Sequence, residues 1–204
     1  MGIHTLMETL LETPRLRLRR FTAVDAEHLF ALDNDPEVMR YLNGGVPTPR
    51  SVVEQQILPG FMQVDGSQPA FGVWAADLIA TGEFVGWFSI RPLPHNPAEA
   101  SLGYRLRRTV WGQGLATEGV RALMRKGFAE LGLQRVVATT YEHNLASRRV
   151  MEKAGMTLVR RFHLTLEDLQ GVDTFHTDAA EVWDGDDVEY ALDKKNWHDN
   201  IKNV

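Results

Sequence analysis

No cysteine occurs among the 204 residues, which excludes disulfides, thiolate metal sites and a cysteine nucleophile. Basic residues are in deficit: 22 Lys and Arg against 27 Asp and Glu leave a formal charge of −5. Sequence-independent nucleic-acid binding runs on a basic excess, so nucleic acid is not an expected partner. Long apolar runs are missing as well. Phe71 to Ala80 contains Asp77 and falls short of the ~20 residues that cross a bilayer. Met1 to Glu8 lacks the basic start and apolar centre of a secretory signal, so a soluble, cytoplasmic protein without a membrane partner is expected. The seven histidines form no two-His metalloprotease motif, and no metal is expected. What is present is ordinary for a globular domain, with 44% apolar and 24% charged residues, enough to build one core.

Periodicity places the elements. Thr13 to Phe21 alternates as a strand, with Leu16 and Leu18 between Arg15, Arg17 and Arg19. A helix capped by Thr22 or Asp25 follows, then a short one over Asp35 to Leu42 with Pro36 in its first turn. Thr48-Pro49 opens a third helix running to about Val64. Ala70 to Leu78 and Glu83 to Arg91 read as a hairpin, Pro92 to Pro97 as a plain loop, and Ser101 to Arg107 as a strand. The strongest helical pattern runs from Leu115 to about Leu131, closed by Gly132. Strand Arg135 to Tyr141, helix Ala146 to Ala154, strand Met156 to His163 and strand Val188 to Leu192 complete the order. Thr165 to Asp187 carries no usable pattern. The mixed order predicts an α+β fold around one sheet: an N-terminal extension over 1–12 and a single domain over 13–204.

Chemistry concentrates at Trp111-Gly112-Gln113-Gly114-Leu115-Ala116-Thr117-Glu118, between a strand and the strongest helix. Two glycines let the backbone turn tightly with no Cβ in the way. The unpaired N–H groups of the helix's first turn face the same space, where the helix dipole favours an anion such as a diphosphate. The segment is neither a P-loop nor a dinucleotide fingerprint, because no Gly-Lys-Ser/Thr follows and Glu118 stands where a third glycine would.

The order of motifs around this loop resembles the GNAT superfamily of N-acetyltransferases, in particular the branch of bacterial ribosomal-protein N-terminal (alanine/serine) acetyltransferases. The matching residues are Leu102-Gly103-Tyr104, the glycine loop itself, Leu131 to Val136, and Asn144-Leu145-Ala146-Ser147 through Glu152 to Gly155-Met156. Thr13-Pro14-Arg15-Leu16-Arg17-Leu18-Arg19, Asp35 to Val38, and Val188 to Leu192 with Trp197 extend the likeness over nearly the whole chain. The resemblance implies a mixed sheet flanked by helices, with a splayed strand pair that receives acetyl-CoA as co-substrate.

By that resemblance, Gly112, Gln113, Gly114, Leu115, Ala116 and Thr117 cradle the pyrophosphate through main-chain amides. The superfamily usually carries Gln or Arg three residues before the first glycine. Thr109 stands there in this chain, with Arg107 and Arg108 as compensating cations. The pantetheine arm would lie along Ser101 to Arg107, with N–H groups near Arg105 and Leu106 facing the oxyanion. Ser147 is the implied general acid for the departing sulfur, and Asn144 the residue that holds the pantetheine arm. Each also suits a plain helix-start role, as side-chain cap or N–H partner. Many relatives carry an acid at the position of Ser101; Glu99, on the same strand face by alternation, is the candidate base acting through water. His143 is an alternative base or a surface residue. Tyr41, Trp87, Phe162 and Trp183 line the acceptor pocket or belong to the core.

These residues point to direct acetyl transfer to an amine, on a protein N-terminus or a small molecule, without an acyl-enzyme. The competing expectation is a non-catalytic acyl-CoA sensor, favoured by Thr109 and by the missing acid at position 101. A homodimer is compatible with either.

Overall fold

The computed structural model describes residues 8–63, 66, 69–163 and 185–197. Eight strands form one sheet: β1 (Thr9–Glu12), β2 (Leu16–Arg19), β3 (Gly72–Leu78), β4 (Phe84–Leu93), β5 (Asn96–Leu106), β6 (Arg135–Tyr141), β7 (Thr157–Phe162) and β8 (Asp187–Asp193). Their spatial order is β1-β2-β3-β4-β5-β6-β8-β7. Every neighbouring pair is antiparallel except β5 with β6. That parallel pair needs a crossover, which α5 (Leu115–Ala129) supplies.

Helices cover both faces. On one side lie α1 (Ala26–Asp33), α2 (Pro36–Asn43), α3 (Arg50–Val52), a π-turn (Val53–Ile57) and α4 (Leu58–Met62). Leu29, Leu32, Val53 and Phe61 pack there against Val73, Phe84 and Trp87. On the other side α5 and α6 (Leu145–Lys153) bury Leu115, Val120, Leu123, Phe128 and Met151 against Phe88, Ile90, Leu102, Val136 and Tyr190. Full burial of each large side chain contributes about 1.5–3 kcal/mol, so these two layers carry the stability. Alternation along β4 and β5 serves both layers at once: Trp87 faces the first and Phe88 the second.

The structure departs from the sequence reading in three places. Residues 9–12, placed above in an N-terminal extension, pair with β2 as a strand. The helix expected over Thr48 to Val64 is broken by a π-turn just before Pro59, whose ring cannot sit on a regular preceding turn. The expected loop from Pro92 to Pro97 is mostly strand, because Pro92 sits at a register shift where no ladder N–H is needed. That extends β5 back to Asn96. Trp183 and all but the last residues of Thr165 to Asp187 lie outside the described residues, as does Val64. Among the described residues no helix is long and apolar enough to cross a membrane.

Gly119 fixes how closely α5 lies on the sheet. A Cβ built there would stand 2.3 Å from the Phe88 ring. Gly119→Ala is therefore expected to lower stability by about 2 kcal/mol in denaturant unfolding, against alanine's better helix propensity. A neutral or stabilising result would mean that α5 does not approach Phe88 so closely.

Candidate active site

The sheet opens into a fork at its centre. β5 pairs with β6 only from Glu99–Arg135 to Ser101–Val137. Beyond that β5 stays with β4 as far as Leu106, and β6 stays with β8 as far as Tyr141. From Leu102 onward the edge of β5 that faces β6 therefore has no ladder partner among the described residues. Arg107 N–H donates to Val85 C=O at 2.8 Å. In an antiparallel ladder bonded pairs alternate, which turns the main-chain groups of Arg105 toward Trp87 on β4 and those of Tyr104 and Leu106 into the fork. Of the two residues expected to offer N–H groups, Leu106 therefore turns its main chain into the fork, as Tyr104 does, while Arg105 turns its own toward β4. Trp111 Nε1 occupies the Leu106 carbonyl at 2.8 Å, tying the glycine loop to the strand end.

At the mouth of the fork the chain turns through Gly112 (φ 74°) and Gly114 (φ 80°) into α5. Both lie in the left-handed region, where a side chain is strained. Gly114 is the N-cap, and its C=O accepts from Glu118 N–H at 3.0 Å. The N–H groups of Leu115, Ala116 and Thr117 precede the first intrahelical bond and have no acceptor within the helix. The Gln113 side chain folds back on the loop, its Nε2 donating to Thr109 C=O at 3.1 Å. A Cβ at Gly112 would meet no atom within 4 Å, so open space adjoins the loop.

Across the fork stands the start of α6. Asn144 is its N-cap: Oδ1 accepts from Ser147 N–H at 3.2 Å, and Nδ2 donates to Thr140 Oγ1 at 3.2 Å. The Tyr104 hydroxyl reaches over from β5 to the Ser147 Oγ at 2.9 Å and donates to the Ser147 C=O at 3.1 Å. Burial pushes the Tyr104 phenol up to about 12, with the Ser147 hydrogen bond pulling the other way, so it stays protonated as a donor. Sequence reasoning saw Tyr104 only as part of a motif. Its spacing from Ser147, 43 residues along the chain, left no local signal.

The remaining candidates separate. Glu99 lies on the face shared by Ser101, Gly103 and Arg105, at the closed end of the fork, where Asn96 Nδ2 donates to its Oε1 at 2.8 Å. The Arg105 side chain is buried and pairs with buried Asp33 on α1 at 2.5 Å, anchoring the outer strand of the fork to the helical layer. Arg107 turns away from the glycine loop toward Phe84, Glu83 and His28. His143 is 70% exposed, with its ring edge-on to Tyr141. Tyr41 packs against Tyr141 at 5.9 Å between ring centroids, closing α2 onto the end of β6. Trp87 is core, and Phe162 carries Arg160 over its ring. Among the described residues no group of three or more His, Asp or Glu could hold a metal ion.

Glu118 belongs to the first turn of α5 but points back at the N-terminal strands. Its Oε1 accepts from Thr13 Oγ1 at 2.6 Å and from Arg15 N–H at 3.0 Å, while Arg15 Nε reaches its Oε2 at 2.7 Å. This contact links the two distant segments Thr13-Pro14-Arg15 and Gly112 to Glu118. Nothing in their local patterns announces it.

Comparison with known proteins agrees with this architecture. The model of the acetyltransferase (GNAT) domain matches residues 15–157. An FsC-acetyl coenzyme A-N(2)-transacetylase of Aspergillus fumigatus is 34% identical over 194 residues, 92% of this chain and 77% of its own. A GNAT-family acetyltransferase structure from Bacillus anthracis superposes with a TM-score of 0.71 at 22% identity, covering 91% of this chain and 98% of that one. A ribosomal L7/L12 α-N-protein acetyltransferase solved with coenzyme A superposes at 0.69 and 18% identity, over 91% and 98%. With the fork, the glycine loop and the domain match in agreement, the chain belongs to the GNAT acetyltransferase family and is an acyltransferase.

Proposed function

We propose that the protein transfers an acetyl group from acetyl-CoA to a primary amine by direct attack, within the single domain built on this sheet, β1 included. The observation that carries this reading is the fork: an unpaired strand edge whose open end meets the first turn of α5. The residues fit the co-substrate in kind. Gly112 and Gly114 leave room for a diphosphate, and the N–H groups from Gly114 to Thr117 supply its donors. Tyr104 and Leu106 offer main-chain groups to the pantetheine amides, as an added strand would.

The acceptor nitrogen attacks the thioester carbonyl, forming the C–N bond as the C–S bond breaks. Three protein groups would assist. A main-chain N–H in the fork would stabilise the developing oxyanion. Glu99, through water, would take the proton from the amine. Ser147 would give a proton to the departing thiolate, while the Tyr104 hydroxyl holds the serine oxygen in place. Asn144 would serve as a positioning residue by capping the helix that carries Ser147.

The acceptor is an amine on a small molecule or a protein N-terminus. The N(2) position in the name of the fungal relative and the α-N-protein in that of the structural neighbour support this class. A cytoplasmic setting fits such a substrate. Membership of an acetyltransferase family sets aside the acyl-CoA sensor as the leading alternative.

Three substitutions test the reading. Gly114→Val should raise the Kd for CoA at least tenfold by calorimetry, because it strains φ 80° and fills the cradle; an unchanged Kd overturns the cradle. Ser147→Ala should lower kcat about 100-fold with KM for acetyl-CoA nearly unchanged, and wild-type turnover would dismiss Ser147 as the acid. Glu99→Gln should depress the rate most at acidic pH, the loss shrinking as the amine deprotonates unaided. A pH–rate profile identical to wild type removes Glu99 from the reaction.

A further inference from the structure

A carboxylate inside the first turn of α5 creates an electrostatic difficulty for the site just described. Glu118 competes for the same positive helix end that the diphosphate would use, and its charge repels a second anion there. The structure answers this with Arg15. Its Nε and NH2 lie 2.7 and 2.6 Å from the Glu118 Oε2, while Thr13 Oγ1 and Arg15 N–H saturate Oε1. The carboxylate is thereby paired and turned toward the N-terminal strands.

The third guanidinium nitrogen does something different. Arg15 NH1 donates to the Gln113 C=O at 2.9 Å. In a trans peptide the C=O and the following N–H point in opposite directions, so holding the Gln113 carbonyl toward Arg15 aims the Gly114 N–H away from it. The guanidinium also lies alongside the glycine, 3.6 Å from where a Gly114 Cβ would stand. One side chain from the start of the sheet thus neutralises the acid and orients the loop.

We infer that Arg15 is a positioning residue for the diphosphate cradle: it cancels the Glu118 charge and fixes the Gln113–Gly114 peptide so that α5 can receive an anion. This rests on the diphosphate reading above. It gives the segment Thr13-Pro14-Arg15 a role in co-substrate binding although it belongs to the opposite part of the chain.

The test compares acetyl-CoA with S-acetyl-pantetheine, which lacks the diphosphate and the phosphorylated adenosine beyond it, on wild type, Arg15→Ala, Arg15→Lys and Arg15→Ala/Glu118→Gln. Circular dichroism and thermal melting confirm that each variant is folded. In low salt, Arg15→Ala should raise KM for acetyl-CoA about tenfold, shrinking toward wild type in high salt, and leave S-acetyl-pantetheine within about twofold. Arg15→Lys should recover part of the loss through its charge, and the double variant should recover part by removing the uncovered acid. An Arg15→Ala protein that handles both ligands as wild type does, or loses both equally, overturns the inference. If Arg15→Ala does not fold, Arg15→Lys must show the same ligand-selective loss, smaller in size, or the inference fails. A wild-type enzyme that uses S-acetyl-pantetheine as well as acetyl-CoA would instead remove the cradle itself.

Discussion

The parallel pairing of β5 with β6 ends after Ser101–Val137, and the rest of the site depends on that interruption. A continuous ladder would satisfy every main-chain group of the central strand and leave nothing for a ligand. Because β5 continues on β4 and β6 continues on β8, each strand keeps a partner on one side while exposing the other. Buried main-chain groups left without partners are costly, so a sheet that opens in its middle needs rigid support on both flanks. Here that support is the Arg105–Asp33 pair on one face and the Tyr104–Ser147 contact across the gap.

Those two contacts come from adjacent residues on one strand and point to opposite faces. Arg105 faces the helical layer of α1 to α4, where it pairs with Asp33. Tyr104 faces α6, where a departing sulfur would meet Ser147. In the proposed reaction the two-residue alternation of the strand would separate the Ser147 side from the side covered by α1 to α4. The buried Arg105–Asp33 pair is weak evidence for stability, since desolvation offsets much of its attraction. Its value lies in holding the outer strand of the fork at a fixed place.

Much of this was legible in the sequence. The glycine loop, the strong helix after it and the Asn144-to-Gly155 motif are local signals, and each falls where periodicity and turn chemistry put it. Strand boundaries next to prolines were harder. Pro92 reads as a loop residue until a register shift gives it a place in β4. The contacts that organise the site were not legible because they join distant segments: Arg15 with Glu118, Asp33 with Arg105, Tyr104 with Ser147. Each partner looks ordinary in its own window. An arginine alternating along a strand reads as a solvated face until the fold brings a carboxylate beside it.

The proposed acetyl-CoA site is formed by the fork together with the first turn of α5. Titration of isotope-labelled protein with CoA, followed amide by amide in solution NMR, tests this most directly. The largest shifts should fall on the amides of Tyr104, Leu106 and Gly114 to Thr117, with residues of β1 and β3 unmoved. Shifts clustered on another surface, leaving the Gly114 to Thr117 amides in place, would contradict it.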